Sequence, residues 1–128
     1  MQTSKDEAWK LYSSWQKSGI YCPALEKFVI ISRKGWNHIT GKDGRKRIFG
    51  DVYRRLKLLP YAKKLIENST MIQNSGKFDN GTKFVLLQGV FQIQIGNEKV
   101  LSRVSVILQE DKKGNIIFYS VSDRKIRV

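Results

Sequence analysis

The chain predicts an α+β domain in which N-terminal helices pack on one face of a four- to five-stranded antiparallel sheet. Apolar residues recur mostly at helical spacing before Asn68, and the period switches to two after it. Strand-length apolar runs beyond residue 83 are separated by Gly96-Asn97 and Lys113-Gly114-Asn115, which suit hairpins. At 128 residues, one domain spanning 1–128 is expected, with an N-terminal helix in 1–20 and a core in 27–125.

The elements follow from local chemistry. Residues 4–16 form an amphipathic helix: Ser4 is a fair N-cap, Glu7 stands three places on, and Ala8, Leu11, Tyr12 and Trp15 share a face. Ser18 and Gly19 end it. Residues 27–32 (KFVIIS) are short, apolar and rich in β-branching, which reads as a buried strand. Ser32 then caps a helical turn through Arg33, Gly35, Trp36 and His38, with Trp36 packed on Ile30 or Ile48. The stretch 40–47 (TGKDGRKR) is a loop, by its glycines and cations. Residues 49–59 and 60–68 are two helices, with Pro60 at the first position of the second. Their buried positions are Val52, Leu56, Leu59, Leu65 and Ile66, and Arg54, Arg55, Lys57, Lys63 and Lys64 decorate the outside. Strands are expected at 70–73, at 83–95 with a bend or break near Gly89, at 99–109 and at 115–123, the last two joined by the 110–114 turn.

Alternation assigns faces to the sheet. Gln88, Gln92 and Gln94 point one way, and Leu87, Phe91, Ile93 and Ile95 the other. Val100, Val104, Val106 and Leu108 are core, leaving Leu101, Arg103, Ser105 and Ile107 opposite. A solvated antiparallel face and a polar platform for RNA both fit that pattern. The net charge favours the platform.

Lys and Arg number 24 against 11 Asp and Glu, a formal charge of +13. A surface this positive attracts polyanions, and the counterions released from a phosphate backbone supply much of the binding energy. With 41% hydrophobic residues and two prolines, the charge belongs to a folded surface rather than a disordered arm. Cys22 is the single cysteine and forms no internal disulfide, and without a Cys/His cluster a structural zinc is not expected. No apolar run approaches the roughly 20 residues of a spanning helix, and residues 1–10 lack a signal-peptide core. A soluble chain is expected, with no membrane partner.

His38 is the only histidine, and Lys34, Lys42, Arg45, Lys46 and Arg47 lie close to it in sequence. A lone histidine is usually incidental, yet this setting suits RNA chemistry. Cleavage without metal needs a base for the ribose 2′-hydroxyl, an acid for the 5′ oxygen and cations for the phosphorane. An imidazole titrates near neutrality, and neighbouring cations favour its neutral, base-competent form. Two-metal chemistry has little support, because the 11 acids show no DxD or HxH pattern. No GxSxG or P-loop occurs. Hydroxyls of Tyr119, Ser120 and Ser122 on the last strand are placed to hold a phosphate, although such residues on an exposed strand need no special explanation. Arg54 and Arg55 join Lys34, Lys42, Arg45, Lys46 and Ser122 as candidate nucleic-acid contacts; paired cations on helices are more often plain solvated faces.

The order of FVIISRKGWNHI (28–39), RRLKLLPYAKKLI (54–66) and IIFYSVSDRK (116–125) resembles the barnase–EndoU–colicin–RelE superfamily of small metal-independent ribonucleases, in its phage and polymorphic-toxin branches. The resemblance covers residues 27–125 and rests on architecture and the His-bearing segment. It implies helices on one side of the sheet and an active site on the other, with no cofactor. It assigns His38 as general base or acid, Arg47, Arg103 or Lys42 as stabilisers of the phosphorane, and Tyr119, Ser120 or Ser122 as phosphate-positioning groups. The chain lacks a barnase-like Glu paired with a second His, so the acid partner stays unassigned. The implied activity is cleavage of transfer or messenger RNA to a 2′,3′-cyclic phosphate, by a toxin acting in the cytoplasm and delivered as part of a larger protein. An acidic immunity protein or antitoxin would suit the +13 charge. A non-catalytic nucleic-acid-binding protein of phage or mobile-element origin is the alternative. A phage inhibitor of a host nucleic-acid enzyme is disfavoured, since such mimics are more often acidic.

Overall fold

A computed structural model describes residues 3–42, 49–95 and 97–126. Its elements run α1 (Thr3–Ser14), β1 (Ile20–Cys22), β2 (Lys27–Ile30), α2 (Arg33–Thr40), α3 (Phe49–Lys57), α4 (Leu59–Asn68), β3 (Asn74–Lys77), β4 (Lys83–Ile95), β5 (Glu98–Glu110) and β6 (Ile116–Lys125). The α+β class holds. The sheet departs from expectation in having six strands, ordered β1-β2-β6-β5-β4-β3. It is also mixed. The hairpin β1–β2 docks on β6 with β2 parallel to it, through Val29 opposite Ile116 and Ile30 opposite Ile117, while the other neighbours are antiparallel.

The two unexpected features have physical reasons. β1 is three residues long between Gly19 and Pro23, too short to show alternation. Its strand character comes from pairing with β2, Ile20 opposite Val29 and Cys22 opposite Lys27. β3 lies at 74–77, not at 70–73, and its sequence NSGK carries no apolar pattern. Pairing with Phe84 and Val85 across the turn places it, the Phe84 ring lying over Gly76 where a Cβ would come within 3.1 Å.

The long strands match the alternation read from the sequence. Val85, Leu87 and Ile93 of β4, Val100, Val104, Val106 and Leu108 of β5, and Ile116, Phe118 and Val121 of β6 are buried. Gly89 does not break β4, which runs unbroken against β5 with Gly89 opposite Val104. α4 packs on β1, β4 and β5, and buries Leu59, Ala62, Leu65 and Ile66. Pro60 stands in the first turn of α4, where a missing N–H costs nothing. Ser4 falls within α1 rather than before it.

An aromatic cluster joins the N-terminal helices to β6. Tyr12 meets Trp36 at 5.5 Å and Phe118 at 5.9 Å between ring centroids, and Trp9 meets Trp36 edge-on at 4.9 Å. Trp36 therefore packs on α1, not on exposed Ile30; Ile48 lies outside the described residues. The Tyr12 hydroxyl donates to the Ser32 carbonyl at 2.5 Å. Burial pushes the phenol well above its ordinary range, so it stays a hydrogen-bond donor at physiological pH.

Gly35 lets α2 approach this closely. A Cβ there would lie 2.6 Å from the Phe118 carbonyl oxygen and 2.7 Å from the Tyr12 hydroxyl. Neither is a flexible end that can swing away. Gly35→Ala should therefore lower stability by about 1–3 kcal/mol, the usual cost of overpacking, measured as a shift in urea midpoint. Wild-type stability in that variant would show that α2 does not seat against β6 as described.

Candidate functional site

β2 leaves the sheet at Ile30, after two residue pairs with β6. Beyond Ile117, β6 has β5 on one side and no strand on the other. Backbone polar groups on such an edge need other partners. α2 and α3 lie along it. Gly35 sits on the Phe118 carbonyl, and Arg55 Nη1 from α3 donates to the Val121 carbonyl at 2.8 Å. The same guanidinium nitrogen donates to Ser120 Oγ at 3.0 Å, and Nε donates to Asp51 one turn earlier at 3.1 Å.

The register between β5 and β6 slips on this stretch. Leu108 opposes Phe118, but Ile107 opposes Ser120, so Tyr119 has no opposite residue. This bulge changes the parity of β6. Ser120 and Ser122 then fall on the face away from the helices with Ile107 and Ser105, and Val121 falls on the core face with Val106.

Tyr119 is the meeting point. The His38 ring from α2 stacks on it at 3.9 Å between centroids with a 28° interplanar angle. Phe78, from the β3–β4 turn, approaches at 5.8 Å, and the Lys34 ammonium lies 6.0 Å from the ring centre. Lys34 and His38 are four residues apart, the spacing that puts two side chains on one helix face. α2 closes at Gly41, whose φ of 83° allows the Lys42 amide to donate to the Asn37 carbonyl at 2.8 Å.

His38 is 6% exposed and Ser120 5%. His38 is thus buried against Tyr119 instead of standing open on the sheet. Beside this group opens a cleft of about 400 Å³ lined by Lys34, Asn80 to Lys83, Gln109 to Lys112 and Ile117. Its charges are mixed. Lys34, Lys83 and Lys112 face Glu110 and Asp111. The Asp111 carboxylate is engaged in its own turn: it accepts the backbone N–H groups of Asn115 and Lys113, each at 2.9 Å, and these bonds hold it below the usual carboxylate range. Gln109 forms a buried wall whose side-chain oxygen has no hydrogen-bond partner among the described residues.

The remaining candidates are dispersed. Arg54 does not face solvent freely. Its Nε donates to Asp123 at 3.0 Å, its second nitrogen closes a two-point pair with the same carboxylate, and that bonding raises the guanidinium above its ordinary range. Arg55 is likewise turned inward, so the expectation of an outward pair on α3 is corrected: the partners sit more than 60 positions along the chain, beyond any local pattern. Arg103 is exposed on the open face opposite Arg124 and Val90. It stands four residues from Ile107 along β5, roughly 13 Å at ~3.3 Å per residue, and so is not grouped with His38. Ser122 opposes Ser105, which accepts from Gln88 Nε2 at 2.9 Å. Lys42 lines a separate hollow of about 320 Å³ with Lys5, Asp6, Trp9, Arg33 and Trp36. Arg45, Lys46 and Arg47 lie outside the described residues.

No family model, curated protein or solved structure matches the chain. Among the described residues, no group of three His, Cys, Asp or Glu side chains could hold a metal ion, and no helix is long and apolar enough to cross a membrane.

Sequence reasoning singled out His38, Tyr119 and Ser120, but not the bonds from Arg55 to Ser120 and Val121, nor the wall formed by Gln109. The Lys34–His38 spacing was the available signal for Lys34 lying beside that pair. Replacing Arg55 with Met would strand the Val121 carbonyl and the Ser120 hydroxyl. The expected loss is about 1–3 kcal/mol in chemical denaturation, as for other buried groups deprived of a partner. A change under about 0.5 kcal/mol, typical of a plain surface site, would contradict the bonding described for Arg55.

Proposed function

We propose that this protein is a metal-independent endoribonuclease of toxin type. The observation that carries the proposal is the stacking of His38 on Tyr119 at 3.9 Å, with Lys34 on the same ring and Ser120 next in the chain. These side chains come from α2 and β6, far apart in sequence, and Lys34 among them also lines the neighbouring cleft. In this reading His38 accepts the proton of a ribose 2′-hydroxyl as that oxygen attacks phosphorus. The Lys34 ammonium faces the charge that grows on the equatorial oxygens. The 5′-oxygen leaves with a proton from the Tyr119 phenol, and a 2′,3′-cyclic phosphate remains. Stacking holds the imidazole plane fixed, so that only its edge meets substrate. Arg55 keeps Ser120 and the bulge in place rather than touching RNA. Arg103, Gln88, Gln92 and Ser122 belong to the polar strand face along which a longer RNA would lie. Transfer or messenger RNA is the substrate class, and an acidic inhibitor protein is the partner that a charge of +13 would attract.

The burial of His38 favours a second reading, in which the domain binds RNA through charge and cuts nothing. One experiment separates the two. Total RNA is incubated with the protein in excess EDTA, and the cut ends are mapped. Cyclic-phosphate and 5′-hydroxyl ends should appear, and His38→Gln, which keeps most of the side-chain volume, should slow cleavage about 10²–10⁴-fold with an unchanged circular dichroism spectrum. Intact RNA at micromolar protein, or cutting that EDTA abolishes, would overturn the enzyme reading. Salt-sensitive binding without cleavage would leave the second.

A further inference from the structure

The β1–β2 hairpin turns large apolar side chains into water. Tyr21, Phe28 and Ile30 are 44%, 61% and 42% exposed. Their direction follows from alternation, since Ile20, Cys22 and Val29 point into the core from the same strands. Tyr21 stands directly opposite Phe28, edge to face at 5.2 Å between centroids. Ile30, two residues on from Phe28, opposes Ile117, which lines the cleft beside Lys34. An apolar strip therefore leads from the hairpin to that cleft.

Its rim is cationic. Lys27 adjoins Phe28 and donates to the Gly114 carbonyl at 3.0 Å, which fastens the hairpin to the β5–β6 turn carrying exposed Lys112 and Lys113. Of the acids nearby, exposed Glu26 stands beside Lys27 in the β1–β2 turn, Asp111 is bound to its own turn, and Glu110 lies 4.0 Å from Lys83. Flat rings bordered by lysines complement a strand of unpaired nucleotides: bases stack on aromatic faces while phosphates meet the cations. An apolar protein partner would match the rings but not the surrounding charge.

We infer that Tyr21 and Phe28 form a stacking subsite for unpaired RNA bases, which guides the strand over Ile30 and Ile117 to the cleft at Lys34. The inference rests on the RNA-engaging half of the proposed function. It is independent of whether the bound strand is cut.

The test uses the intact protein and fluorescence anisotropy with a 2′-O-methyl oligouridine, which lacks the attacking hydroxyl, beside an abasic oligomer of equal length. Wild type should hold the base-bearing oligomer more tightly. Phe28→Ala and Tyr21→Ala should each weaken that binding about tenfold, within the range for loss of one stacked base, without changing affinity for the abasic oligomer. Phe28→Trp should restore it. Equal wild-type affinity for the two oligomers, or alanine variants that bind uridine as wild type does, would overturn the subsite and leave the patch to a protein partner. A protein that shows the base-dependent losses but never cuts RNA would retain the subsite and overturn only the nuclease. One that cuts RNA with no base dependence would do the reverse.

Discussion

The early departure of β2 from the sheet governs much of the rest. Two pairs with β6 hold the N-terminal hairpin in place, and the chain then turns into α2 at Arg33. The outer edge of β6 is left with backbone groups that must find partners. The solution is made of side chains and helix surface: Gly35 seated on the Phe118 carbonyl, and Arg55 on the Val121 carbonyl. Both draw helices onto the strand edge rather than onto its apolar face. The bulge at Tyr119 lies within the same stretch, so the segment that lacks a strand neighbour is also the one with altered register. His38 reaches Tyr119 because Gly35, one helical turn earlier, permits the approach.

This arrangement redistributes the charge. The chain carries +13, but Arg54 and Arg55 are committed to Asp123, Asp51 and β6. A guanidinium suits that task because its fixed fork of donors can serve a carboxylate and a carbonyl at once, which a lysine cannot do. Lys34, by contrast, is exposed and bonds to no acid in the described set of ion pairs. Cations that organise the fold and cations available to an anion are thus sorted by chemistry. Counting charge in the sequence could not perform that sort.

What the sequence disclosed follows the range of the forces involved. Helices and long strands were legible because their burial patterns repeat within a few residues: Leu87 and Ile93 against Gln92, or Val104 and Val106 against Arg103. The polar open face and its glutamines followed from the same alternation. The mixed sheet was not legible, because KFVIIS looks the same beside a parallel or an antiparallel neighbour. The polar strand NSGK carries no signal of its own and is placed by Phe84. At the site, His38, Tyr119 and Ser120 stood out by residue type. Their mutual geometry depends on a one-residue slip in β6 that no periodicity announces.

Burial of the imidazole bears on both functional readings, and it does so unevenly. A general base needs one accessible nitrogen, not an accessible ring, and a ring clamped by an aromatic neighbour pays less to orient itself when substrate arrives. A protein that merely attracts polyanions asks nothing of the imidazole, so for that reading its burial against Tyr119 carries no cost. In the proposed reading, the amphiphilic strip from Phe28 to Ile117 adds a direction of approach, from the hairpin toward the cleft at Lys34. Catalysis at such a site would be limited by how well a ribose can reach the imidazole nitrogen. Selectivity would then fall to strands flexible enough to bend there, which favours unpaired segments over duplex.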